Sequence, residues 1–121
     1  MTKPLATVVG AIGKLPLAGL SLYNIHHIAG LQELGYEVHY VERQNKPEDC
    51  YDPAAGRMTD DPCYELEYLR NLLPRFGIPC ERYSFIDREN RCHGATWGAL
   101  GEALGRADFV LTLAGRRYMV R

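Results

Sequence analysis

Apolar residues fall into short runs that alternate with stretches of helical period. Ala6-Thr-Val-Val-Gly-Ala-Ile12 is short, almost wholly apolar and bounded by Pro4 and Gly13, which predicts a strand buried on both faces. Gly13-Lys-Leu-Pro-Leu-Ala-Gly19 then breaks both periodicities and predicts a loop. From Gly19 to Leu34 the period becomes helical, with Leu20, Ile28, Leu31 and Leu34 on one face and Gly35 at the expected stop. Glu37-Val-His-Tyr-Val41 follows after one tyrosine, and its β-branched and aromatic residues predict a second strand.

The stretch from Glu42 to Asp61 has six acidic and three basic residues, two prolines and no period, so it reads as a long loop. Asp61-Pro62 is a helix-start signature, and Leu66, Leu69, Leu73 and Phe76 recur behind it at helical spacing. Pro74 should kink or stop that helix near Leu73, because it removes a backbone donor and crowds the preceding turn. Beyond Gly77 and Pro79, residues Glu81 to Ile86 predict a third strand, polar enough to be an edge. A charged turn from Asp87 to His93 leads to a helix marked by Trp97, Leu100 and Leu104 and closed by Gly105. Its Gly98 and Gly101 make it depend on packing. Asp108-Phe-Val-Leu-Thr-Leu113 predicts a fourth, strongly apolar strand that ends at Ala114-Gly115.

Four strands alternating with three helices predict a three-layer, Rossmann-like α/β domain over residues 1–121, its parallel sheet in the order 3-2-1-4. In that order the chain reverses direction between the first and fourth strands, and ligands sit outside the carboxyl ends of the strands at such a switch point. The flanking loops are Gly13–Gly19 and the stretch from Gly115. The fourth strand is left as an apolar edge with one helix for its face, a liability that proteins cover or pair. The expectation is that sequence beyond Arg121 covers it or that a homo-oligomer pairs through it.

Composition narrows the partners. With 46% hydrophobic and 24% charged residues the chain should fold, and a net charge of −1 offers nothing to nucleic acid. No apolar run approaches a membrane span and no signal peptide opens the chain, which makes the cytoplasm the default compartment. Cys50, Cys63, Cys80 and Cys92 lie 13, 17 and 12 residues apart, without the close pairing of metal or redox sites, and read as reduced thiols.

The chemistry concentrates near the first loop. Gly13, Lys14, Pro16 and Gly19 lie where backbone amides and the start of a helix can face an anion or a sugar hydroxyl. The pattern is neither a phosphate-binding P-loop nor Gly-x-Gly-x-x-Gly. Asn24 and His27 fall on the face of Leu20, Ile28 and Leu31, whereas His26 points away. Polar groups there need hydrogen-bond partners or a cavity, so His27 is either a structural histidine or a general base. Glu42 ends the second strand, within reach of a ligand hydroxyl or of solvent. The acidic loop around Asp49, Asp52, Asp60 and Asp61 lacks calcium-loop spacing and reads as solvated surface. Arg116 and Arg117 read as a basic tail near the switch point.

Gly13-Lys-Leu-Pro-Leu-Ala-Gly19, His26-His-Ile-Ala-Gly-Leu31 and Leu34-Gly-Tyr-Glu-Val-His-Tyr-Val-Glu42 together resemble the amino-terminal half of GT-B glycosyltransferases, in particular a bacterial branch related to glycosyltransferase family 1. Tyr51-Asp-Pro53, Tyr64-x-x-x-Tyr-Leu69, Phe76-Gly-Ile78 and Ala107–Gly115 extend the resemblance over most of the chain. It implies transfer of a sugar from a nucleotide-sugar co-substrate to a small-molecule or glycan acceptor, with no bound metal. By the resemblance Gly13–Gly19 is the acceptor-side element, and His27 and Glu42 carry over by position. The donor-binding half would lie outside these residues, leaving the chain inactive alone. Two other readings stand beside it: a Rossmann-type module binding a nucleotide or cofactor whole, and a non-catalytic α/β interaction module.

Overall fold

Strand β1 (Leu5–Val9) lies at the middle of the parallel part of the sheet, between β2 (Glu37–Arg43) and the last strand of the chain. The computed structural model describes residues 3–12, 18–44 and 47–113. Helix α1 (Ala18–Glu33) joins β1 to β2 and buries Ser21, Asn24, Ile25 and Ile28 along one stripe. It ends as expected at Gly35, whose φ of 98° lets its amide reach the Gln32 carbonyl while the Tyr36 amide reaches Leu31, a Schellman arrangement.

The stretch between β2 and the second helix is not structureless. It holds a two-stranded antiparallel hairpin, β3 (Cys50–Asp52) and β4 (Arg57–Thr59). Its turn uses Gly56 at φ 67° and the Asp52 carboxylate, which accepts the Ala54 amide at 3.0 Å. Strands of three residues are too short to show a period, which is why the sequence pattern hid them. Asp49 and Cys50 are buried, so this stretch is not purely solvated surface.

Helix α2 (Cys63–Leu72) opens with the Asp61 carboxylate accepting the Cys63 amide at 3.0 Å. Pro74 ends it as expected: the chain tightens into a 3-10 turn at Leu73–Phe76 and leaves through left-handed Gly77. A short 3-10 turn (Cys80–Arg82) leads into β5 (Tyr83–Ile86). The expected edge position of this strand is corrected, because every β5 residue is buried and β6 (Cys92–Gly94) pairs antiparallel along its outer side. The charged turn therefore closes a hairpin, its Asp87 accepting the Glu89 and Arg91 amides at 2.8 and 2.9 Å. Helix α3 (Trp97–Arg106) is capped by Thr96, whose hydroxyl accepts the Ala99 amide at 3.1 Å, and packs through Leu100 and Ala103. Trp97 and Leu104, expected on its buried stripe, are about half exposed.

β7 (Phe109–Thr112) completes a five-stranded sheet in the order β6-β5-β2-β1-β7. The sheet is mixed: β5, β2, β1 and β7 run parallel, and β6 adds the antiparallel edge that the wholly parallel expectation lacked. Asp108 ties the start of β7 to β1 by exchanging bonds with the Leu5 amide and carbonyl. Alternation along the strands puts Val8, Val38, Tyr40 and Phe85 on one face, where they pack with Ile25, Ile28, Leu69, Leu73 and Ile78 in one core. Helices α1 and α2 thus share a face. Right-handed crossovers in opposite directions along the sheet set α3 against β1 on the other.

Candidate functional site

The polar groups that the fold gathers lie where β1 and β2 end. Val38, Tyr40 and Glu42 alternate onto the core face of β2, so the last of them carries a carboxylate into an apolar layer. Glu42 and Tyr40 have no exposed surface. The Tyr40 hydroxyl donates to Glu42 Oε1 at 2.7 Å and accepts the Ile12 amide at 2.9 Å, which joins the segment leaving β1 to the end of β2. Gly10 makes this approach possible: a Cβ there would lie 2.2 Å from Asn24 Oδ1 and 2.9 Å from the Tyr40 ring and hydroxyl. Asn24, 2% exposed, is therefore in the same group.

Helix α2 adds a second carboxylate. Glu65 is fully buried, and neither of its oxygens has a hydrogen-bond partner of ordinary geometry. Burial pushes its carboxyl up to about 7; the charge of Glu42 pushes the same way, against its own backbone amide and the Cys50 thiol. Glu42 accepts the Tyr40 hydroxyl, a bond that Glu65 has no counterpart to. A carboxyl raised to about 7 can take up and return a proton near neutral pH.

The sequence-predicted residues divide. Asn24 and Glu42 come together. His27 stands apart: half-buried on the flank of α1, its Nδ1 lies 2.9 Å from the Tyr23 carbonyl and its ring packs edge-on against Tyr23. It borders an open surface groove of about 410 Å³ with His26, Gly30, Leu31, Leu34 and Leu111. The buried stripe of α1 runs through Ile25 rather than toward Leu34, which is 76% exposed, and this turns His27 away from Asn24. Gly19 lies in the first turn of α1, inside the helix rather than in the loop before it. Gly13, Lys14, Pro16, Gly115, Arg116 and Arg117 lie outside the described residues.

Sequence reasoning missed Tyr40, Glu65 and Gly10. Glu65 was detectable: with Leu69 and Leu73 it makes an i, i+4, i+8 stripe, so it stood as a carboxylate on an apolar helix face. On the opposite sheet face His39 Nε2 lies 3.0 Å from the Ser84 hydroxyl, and burial, aided by Arg82, lowers the imidazole to about 4. Among the described residues no group of three or more His, Cys, Asp or Glu could hold a metal ion, and no helix is long and apolar enough to cross a membrane. Searches of family models, of curated proteins and of solved structures each return no match to this chain.

Proposed function

We propose that this chain is the acceptor-side, amino-terminal part of a GT-B glycosyltransferase-like protein that acts in the cytoplasm. The observation that carries the reading is the Glu42–Tyr40 pair at the carboxyl end of β2, with Glu65 buried nearby. It lies beside the end of β1, from which the chain departs toward β2 on one side and meets β7 on the other, the place where Rossmann-like sheets bind ligands. An acceptor oxygen attacking an anomeric carbon forms the glycosidic bond as the bond to the nucleotide phosphate breaks, and its hydroxyl proton needs a base. The Glu65 carboxyl, raised to about 7 beside Glu42, supplies one. Gly13, Lys14, Pro16, Gly19, Asn24 and Gly115 would shape the acceptor side, and the reading requires a donor-binding half outside these 121 residues.

The test is to extend the reading frame past codon 121 and assay the full polypeptide for nucleotide release from a nucleotide-sugar. Glu42→Gln and Glu65→Gln should each lower turnover by about a hundredfold, as loss of a general base does. Saturable binding of NAD or FAD by the 121-residue chain would sink the proposal in favour of a cofactor-binding module.

A second reading, an interaction module pairing through β7, rests on one observation. β7 bonds only to β1 among the described strands, and its Val110 is 51% exposed. A strict monomer by light scattering at high concentration contradicts it.

A further inference from the structure

Helix α2 carries its apolar anchors late. Leu69 and, just past the helix, Leu73 sit in the core with no exposed surface, whereas of the first six residues, Cys63 to Tyr68, only Glu65 is buried. The side chain that seats the start of the helix on the sheet is thus a carboxyl, and both its oxygens lack a partner of ordinary geometry. A buried polar group without partners is costly, and more so when it is charged. Polar ties on these turns include the Cys63 amide on the Asp61 carboxylate at 3.0 Å and the hydroxyls of Tyr68 and Ser21, 3.0 Å apart. On the side of Pro62, Cys63 and Leu66 lies an open cleft of about 680 Å³, which leaves these turns room to move.

Glu65 reaches toward the end of β2, where Tyr40 and Glu42 have no exposed surface. The groups that act on it are the Glu42 carboxylate of β2, the Asp52 carboxylate and Cys50 thiol of β3, and its own backbone amide. Helix α1 buries Ser21, Asn24, Ile25 and Ile28 on that face, none of which titrates. Protonated, Glu65 is a neutral group in this layer; ionised, it is a buried charge beside like charges. Lifting the first turns gives the carboxyl water and ends the repulsion. The closed form keeps the proton up to about 7 against an ordinary 4.5, so between these values opening releases one proton. The opening constant then rises about tenfold per pH unit, about 300-fold in all, and levels off above that window.

We infer that the first turns of α2 form a hinged cover over the Tyr40–Glu42 end of β2, turning about Leu69 and Leu73 and lifting when Glu65 loses its proton. Openings of this kind cost less than global unfolding and expose one region at a time. The movement stands apart from the acceptor-side reading; only its use to admit a substrate rests on that reading.

The test reads exposure rather than turnover, so the two can fail separately. Cys50, fully buried beside Glu65, is alkylated with N-ethylmaleimide in the 121-residue chain from pH 5 to 8, and its rate is divided by that of exposed Cys80. The ratio should rise about tenfold per unit to about pH 7 and then level, and Glu65→Gln should make it flat. Global unfolding does not mimic this course, because it also frees His39, which takes up a proton between about pH 4 and 6.5 and offsets the slope. Should Glu65→Gln fail to fold, amide exchange of the wild type decides: after correction for intrinsic rates the Tyr68 amide should follow the same pH course, with Val8 and Val38 in the strands at least about tenfold better protected. A flat ratio in the wild type, a slope that Glu65→Gln keeps, or Val8 and Val38 exchanging at the Tyr68 rate would each overturn the hinged cover.

Discussion

Tyr40 and Glu42, two residues apart on one strand, form a buried hydroxyl–carboxylate bond of 2.7 Å whose hydroxyl also accepts the Ile12 amide. One oxygen thus serves two buried partners and joins the ends of β1 and β2.

Removing that oxygen leaves both partners short of a bond inside the protein. Tyr40→Phe should destabilise the fold by about 2–6 kcal/mol, since each of the two buried groups left wanting costs about 1–3. Urea unfolding reads this directly, and a change below about 0.5 kcal/mol would show that the two groups find other partners.

The pH profile should contain two opposed terms. Glu65 titrates at about 7 in the folded state against an ordinary 4.5, so between these values the folded protein holds a proton that the unfolded chain has released. Its contribution falls as pH rises through that window. His39 is the reverse: at about 4 against an ordinary 6.5, its contribution rises as pH climbs from about 4 to 6.5. Glu65→Gln should therefore leave stability climbing with pH, with a gain over wild type at pH 8 on the order of 3 kcal/mol. His39→Gln should leave it falling. Denaturation midpoints between pH 4 and 8 that change in parallel for both variants would contradict this assignment.

Gly10→Ala tests the closeness of β1, α1 and β2. The new methyl would stand 2.2 Å from Asn24 Oδ1, and neither Asn24 nor Tyr40 has open space to move into. A loss of about 1–3 kcal/mol or more is expected, as for overpacked cores. The double variant Gly10→Ala, Asn24→Ala should recover part of it in thermal unfolding. No recovery would place the strain elsewhere.

His27→Ala removes a half-buried ring bonded within its own helix, so stability should change by less than about 1 kcal/mol. A larger drop in the melting temperature than this implies would make His27 a core residue.

Several elements could be read from local pattern because local chemistry sets them. Gly35 ends α1 and Pro74 ends α2 through φ and a missing N–H, constraints that need no partner from elsewhere in the chain. The apolar run of β1 announced a strand because a strand buried on both faces has little use for alternation, and β7 has the same apolar pattern although its Phe109 and Val110 are exposed. Asn24 was visible as a polar residue on an apolar face, whereas Glu42 was visible only as a carboxylate at a strand end, within reach of solvent.

Tertiary structure alone decided which of these residues meet. The position of β5 inside the sheet depends on β6, three residues with no pattern of their own. The turn of α1 about its axis, which buries Asn24 and leaves His27 on the flank, is set by packing of Ile25 and Ile28 against the sheet. Glu65 reaches the Glu42 neighbourhood because α2 lies on that same face. A periodicity records how often a side chain returns to one side of an element, whereas contact and burial depend on what the fold places opposite.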